Sequence, residues 1–117
     1  METITLKVGT VTCINGRTQE HLRPVEFVGE KLASRREYTG DNDTRGVDET
    51  LYRCEDGRLV VYVEDWSRWQ GEPDTYRLVP VVEADLGPNG RFEYLGQEAG
   101  MGRALTLDEA LAADDGE

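Results

Sequence analysis

Two β-rich runs, Asp48–Cys54 and Arg58–Val63, meet at Asp56-Gly57, and this junction restricts the fold more than any other stretch of the chain. Asp-Gly between alternating apolar residues is a strong short-range hairpin signal, because a two-residue type I′ turn needs positive φ at both positions. With Glu55 facing Arg58, the turn sets Cys54 opposite Leu59, Arg53 opposite Val60, Tyr52 opposite Val61, Leu51 opposite Tyr62 and Thr50 opposite Val63. Alternate pairs share a face. The expected core face is Tyr52, Cys54, Leu59, Val61 and Val63, and the other face holds Glu55, Arg58, Arg53, Val60, Leu51 and Tyr62.

The remaining chain supplies strands on both sides of this hairpin. Ile4, Leu6 and Val8 alternate with Thr3, Thr5 and Lys7, the period of a half-buried strand, and Asn15-Gly16 is a second hairpin-type turn. Arg17 to Arg23 is polar and reads as an edge if it pairs. Val25 to Tyr38 fits either a strand bending at Gly29 or a short helix; the strand is favoured. Thr39 to Glu49 is rich in Gly, Asp, Asn and Thr, which predicts a flexible loop. In Thr75 to Val82, Tyr76, Leu78 and Pro80 alternate with Arg77, Val79 and Val81, a last strand that Pro80 ends or places at an edge.

After Val82 the pattern changes. Glu83 to Gly90 reads as a turn-rich bridge, Arg91 to Ala99 as two helical turns, and Thr106 with Glu109 as the capping box of a helix running to Ala113. Leu107, Ala110 and Leu111 would dock on the sheet, and Asp114 to Glu117 forms a frayed acidic tail. The expected fold is therefore α+β: one domain over residues 1–113, an antiparallel meander of four to six strands with one or two short C-terminal helices.

Charge narrows the partners. The chain has 13 basic and 24 acidic residues, a formal net charge of −11, which opposes direct nucleic-acid binding and anionic membrane surfaces. Glu83 to Glu117 holds nine acids against two arginines, a net of −7, and the first 82 residues hold the remaining −4. Glu83, Asp85, Glu93, Glu98, Asp108 and Glu109 would form an acidic surface, either simply solvating or able to occupy a basic groove. Nothing resembles an export signal or a membrane span, so the cytoplasm is the expected location.

Motifs that would carry chemistry are incomplete. Cys13 and Cys54 lie far apart with no accompanying histidine pair, which opposes a zinc or thiol redox site, and Cys54 belongs to the apolar hairpin face. Asp41, Asp43 and Gly46 fit an EF-hand calcium loop, but Arg45 and Tyr52 occupy two positions that must supply oxygen. His21 reads as a surface residue and neither serine sits in a nucleophile elbow, so no catalytic residue, metal or cofactor is expected. Trp66 and Trp69 flank Arg68, a composition typical of interface hot spots, although an indole can equally lid the sheet with Arg68 stacked on it. With Tyr62 and Arg53, these residues make the expected binding surface for a protein partner.

Ile4-Thr5-Leu6-Lys7-Val8-Gly9, Phe27-Val28-Gly29, Leu32-Ala33, Leu51-Tyr52-Arg53 and Asp56-Gly57-Arg58-Leu59-Val60-Val61-Tyr62 resemble the central part of bacterial EXLDI-type proteins. The resemblance spans about Ile4 to Trp69 and implies a compact β-rich module of unknown function, with no catalytic residues to carry over. Members of that family carry an N-terminal segment like a ribbon-helix-helix unit and end in their naming motif. This chain starts at the strand and ends in Leu105-Thr106-Leu107-Asp108-Glu109-Ala110-Leu111, so the resemblance implies a stand-alone version. Three readings follow: a non-enzymatic module binding a protein partner, an acidic inhibitor of phage or plasmid type occupying a basic nucleic-acid-binding surface, and a small-molecule domain with a pocket between sheet and helices.

Overall fold

A computed structural model describes residues 1–39, 42, 44–69, 71–100, 107, 108 and 111. Five antiparallel strands in meander order close into a small barrel: β1 (Glu2–Ile14), β2 (Arg17–Tyr38), β3 (Arg45–Cys54), β4 (Leu59–Ser67) and β5 (Asp74–Val81). Two short helices follow, α1 (Glu83–Leu86) and α2 (Glu93–Glu98). Val25 to Tyr38 is strand, as the favoured reading expects, within the long β2.

Strands in a meander alternate in direction, so the first and fifth would run parallel. Yet β1 and β5 pair antiparallel, Gly9 with Tyr76 and Val11 with Asp74. Closure of this kind requires one strand to count twice, and β2 does so. Its first half pairs with β1 as far as Gly29 opposite Glu2, and its second half pairs with β3 from Gly29 opposite Cys54 to Tyr38 opposite Gly46. The register slips between Lys31 and Ala33, and such a bulge bends a strand and sharpens its twist.

The central hairpin exists, but its turn and register differ from expectation by one residue. Arg53 faces Leu59, Tyr52 faces Val60, Leu51 faces Val61 and Thr50 faces Tyr62. Only Gly57 has positive φ, at +91°, while Asp56 does not. Gly57 N–H donates to the Cys54 carbonyl and Cys54 N–H to that of Arg58, the pattern of a three-residue loop with a glycine bulge. Asp56 is held by its own carboxylate, which accepts from the Arg58 N–H at 3.1 Å and from Arg58 Nε at 2.6 Å. By contrast, Asn15 (φ 52°) and Gly16 (φ 76°) both adopt positive φ and close β1 onto β2 at Ile14 opposite Arg17, as a type I′ turn requires.

The slipped register exchanges the faces of β3, while β4 keeps Leu59, Val61 and Val63 on the core side as expected. Leu51, Val61 and Val63 share one face and join Ala33, Val81, Leu86, Phe92 and Leu95 in a buried cluster, with α1 and α2 covering that side. Tyr52, Tyr62, Glu64 and Trp66 share the other face. Tyr52, expected in the aliphatic core, instead meets Phe27 edge-on at 5.6 Å. Leu51, expected on the half-apolar face, is fully buried at 0% exposure.

Three further readings change. Arg45 to Glu49, expected in a loop, is strand, because pairing on both sides with β2 and β4 outweighs its turn-like composition. The expected bridge contains α1, whose Asp85 carboxylate accepts from the Val82 N–H at 3.0 Å. Leu107 and Leu111 have helical backbone but are 75% and 52% exposed rather than docked, the helix-facing side of the sheet being filled by Leu86, Phe92 and Leu95. The remaining residues of that expected helix, and the tail from 114 to 117, lie outside the described residues.

Candidate functional site

Trp66 is the centre of the most distinctive side-chain constellation, and Gly46 makes it possible. Gly46 lies in β3 directly between Tyr38 of β2 and Trp66 of β4. Having no side chain, it lets the indole lie across the strand; a Cβ there would run into the indole Cζ2. An aromatic ring covering a strand glycine in this way restores packing that the glycine lacks. The ring edge then reaches Tyr38, with centroids 5.8 Å apart at 86°.

Two guanidiniums approach the same indole, Arg36 at 5.8 Å and Arg68 at 5.4 Å from the ring centroid. Arg36 is held in place by Asp48, its cross-strand neighbour, through a fork of two 2.8 Å hydrogen bonds from Nε and Nη2. Trp66 Nε1 donates to the same carboxylate at 3.3 Å. The Arg36 hydrogen bond holds the Asp48 carboxyl below its ordinary range, against the opposing effect of burial. Glu64 lies opposite Asp48 on the next strand, and its carboxyl is pushed up, first by burial and then by the Asp48 charge.

A network of polar groups sets the following loop. Ser67 N–H donates to Asp74 Oδ1 at 2.8 Å, Ser67 Oγ donates to Glu72 Oε1 at 2.6 Å and accepts from the Trp69 N–H at 3.0 Å. Arg45 forks onto Glu72 at 2.9 and 2.8 Å, and with Ser67 holds that carboxyl low. The Arg68 N–H reaches the Thr44 carbonyl, and Gly71 N–H reaches that of Cys13. Within this brace Trp69 stays 54% exposed, beside a cavity of about 330 Å³ that Arg68 and Glu72 also line. Tyr38 is 48% exposed. Tyr38, Arg36 and Arg68 thus cluster on Trp66, and Trp69 adjoins them through the cavity that it lines with Arg68.

The expected binding residues therefore separate. Trp66, Arg68 and Trp69 come together. Tyr62 is only 6% exposed, lies over Tyr76 at 6.3 Å, and donates its hydroxyl to the Lys7 carbonyl at 2.6 Å. Burial first, then the Glu64 charge, pushes its phenol up to about 12. It fastens β4 to the edge of β1 where the β1–β5 ladder has ended, and is not part of a surface. Arg53 points to the opposite face, 3.7 Å from Glu30. Tyr38, Arg36 and Asp48 were missed, because only the register across Gly46 brings them to Trp66; a glycine early in a strand was the available signal.

Several acidic candidates are occupied locally. Asp85 caps α1, Glu93 accepts from the Asn89 N–H at 3.1 Å and from Gln97 at 3.2 Å, and a hydrogen bond from Tyr94 to Glu98 raises the Tyr94 phenol. Glu83 and Asp108 are exposed, and Glu109 lies outside the described residues, as do Asp41 and Asp43 of the calcium-like loop. Among the described residues no group of His, Cys, Asp and Glu has the arrangement to hold a metal, and no helix is long and apolar enough to cross a membrane. Cys54 is buried and its thiol is pushed up by that burial, whereas Cys13 is exposed. None of the family models, curated proteins or solved structures compared with this chain matches it.

Proposed function

We propose that the protein is a non-enzymatic binding module that engages a protein partner through Tyr38, Trp66, Arg36, Arg68 and Trp69. The observation that carries this reading is the exposure of Trp69, at 54%, in a loop whose backbone is tied down by Ser67, Glu72 and Asp74. A large apolar ring left half in water on a fixed backbone has little to offer the fold. It lines one cavity with Arg68, whose guanidinium also packs on Trp66, so apolar area and a planar donor stand side by side, the chemistry of interface hot spots.

The other two readings gain less support. Three of the acids on α1 and α2 are engaged with their own short helices, and the space between sheet and helices is filled by Leu86, Phe92 and Leu95. Trp69→Ala tests the proposal cleanly, because a surface substitution of this kind should move stability by no more than about 0.5 kcal/mol. A partner retained by the wild-type chain and lost on Trp69→Ala, at an unchanged unfolding midpoint, supports the reading. Identical partner sets for the two proteins contradict it.

A further inference from the structure

Asp48 of β3 and Glu64 of β4 stand directly opposite each other, and like charges so placed destabilise a sheet. The fold relieves only one of them. Asp48 accepts the Arg36 fork and the Trp66 indole N–H, whereas the half-buried Glu64 carboxylate has no hydrogen bond or ion pair among the described residues. Burial pushes the Glu64 carboxyl up, so its ionisation opposes folding. A charge held at a cost to stability on the wall of a cavity marks a binding group rather than a structural one.

That cavity, about 300 Å³, lies over β2, β3 and β4 and shares Arg36 and Asp48 with the Trp66 cluster. Ser34 and Thr50, paired across β2 and β3, line it with hydroxyls that make no hydrogen bond within the described residues. Glu64 stands diagonally from Thr50 on the next strand, within side-chain reach of the same space. The basic residues around it cannot neutralise Glu64. Arg36 is forked onto Asp48 and Arg35 is 2.8 Å from Glu37. Lys31 lies opposite Tyr52, which is about 13 Å along β3 from Asp48, too far for its ammonium to meet Glu64. Glu49 also borders the cavity, but it stands opposite Val63 and belongs to the helix-covered face.

We propose that this cavity receives a lysine side chain of the protein partner, its ammonium held by Glu64 together with the Thr50 and Ser34 hydroxyls. This rests on the reading of the adjoining Trp66 cluster as a contact surface. An ammonium brings three donors, which one carboxylate and two hydroxyls from three adjacent strands can meet. A guanidinium is the poorer occupant, because the forked face of Asp48 that it would use is already filled by Arg36. No group of His, Cys, Asp and Glu among the described residues has the arrangement to hold a metal, so the cation is an organic one. The net charge of −11 draws a basic partner toward it.

The test uses the full chain, isotope-labelled, titrated with Nα-acetyl-lysine N-methylamide and with the same compound acetylated on Nε, which keeps the stem and loses the charge. The lysine compound should shift the amide signals of Ser34, Thr50 and Glu64 saturably, and the Nε-acetylated one should bind about tenfold or more weakly. Glu64→Gln, which keeps the side-chain shape and removes the charge that opposes folding, should weaken lysine binding by a similar factor of about ten. Equal binding of the two compounds, unchanged binding in Glu64→Gln, or no shift at these three amides overturns the proposal. A partner captured equally by wild type and Glu64→Gln but lost on Trp69→Ala also overturns the lysine anchor, while leaving the aromatic contact surface standing.

Discussion

Val61 and Val63 turn toward the helices, whereas Tyr62, Glu64 and Trp66, interleaved with them on the same strand, turn to the aromatic face. The first set is 0% and 2% exposed and is held by nonpolar packing alone. The second is held by specific contacts: the Tyr62 hydroxyl on Lys7, the Trp66 indole on Gly46 and Asp48, the Arg36 fork. Burial of aliphatic side chains stabilises without regard to direction, so the helix-covered face can anchor the fold. Beyond the buried Tyr62, the aromatic face keeps charged and ring groups such as Arg36 and Tyr38 partly exposed, which is what recognition requires. One strand thus serves both purposes by alternation, and substitutions on its two faces should fail in different ways.

The largest effect is expected on the helix-covered face. Leu51→Ala removes a fully buried side chain, and chemical unfolding should show a loss of about 2–5 kcal/mol with Trp66 fluorescence of the folded state unchanged. A loss under about 1 kcal/mol would mean that Leu51 does not face α2. Gly46→Ala should cost about 1–3 kcal/mol by overpacking against the indole, and unlike Leu51→Ala it should shift Trp66 emission and weaken partner capture.

The smaller effects belong to the polar contacts. Tyr62→Phe deletes the hydroxyl bonded to Lys7 and should cost about 1 kcal/mol, with faster amide exchange along the first half of β1. Glu64 and Asp48 should give opposite pH dependences. The Glu64 carboxyl is raised in the folded state, so its ionisation opposes folding, and stability gained as pH falls through its folded pKa is lost again as pH rises. Glu64→Gln should therefore stabilise at pH 7 more than at low pH. The Asp48 carboxyl is lowered, so its contribution is present above the unfolded pKa and disappears as pH falls through the folded one; Asp48→Asn should destabilise at neutral pH and lose that effect in acid. Unfolding midpoints measured across this pH range decide the sign for each.

How much of this was legible in the sequence depends on the element. Ile4, Leu6 and Val8 show β1 by alternation alone, and Asn15-Gly16 specifies its own turn. Asp56-Gly57 shows the hairpin but not its register, because Asp56 bonds to Arg58 rather than taking positive φ. The apolar pattern could not correct the slip, since Leu51 and Tyr52 are adjacent and either suits a core. At the site, Trp66 and Arg68 were visible as composition, and their partners were not: Tyr38, Arg36 and Asp48 reach the indole only across strands whose pairing is nonlocal.

The assignment of β4 to two faces can be read directly from nuclear Overhauser contacts in the folded chain. The account predicts cross-peaks from the Trp66 ring to the Gly46 α-protons and the Tyr38 ring, together with contacts from the Leu51 and Val61 methyls to the Phe92 ring. Contacts from Tyr52 to Phe92 or Leu95, with none between Trp66 and Gly46, would return the hairpin to a two-residue turn and contradict it.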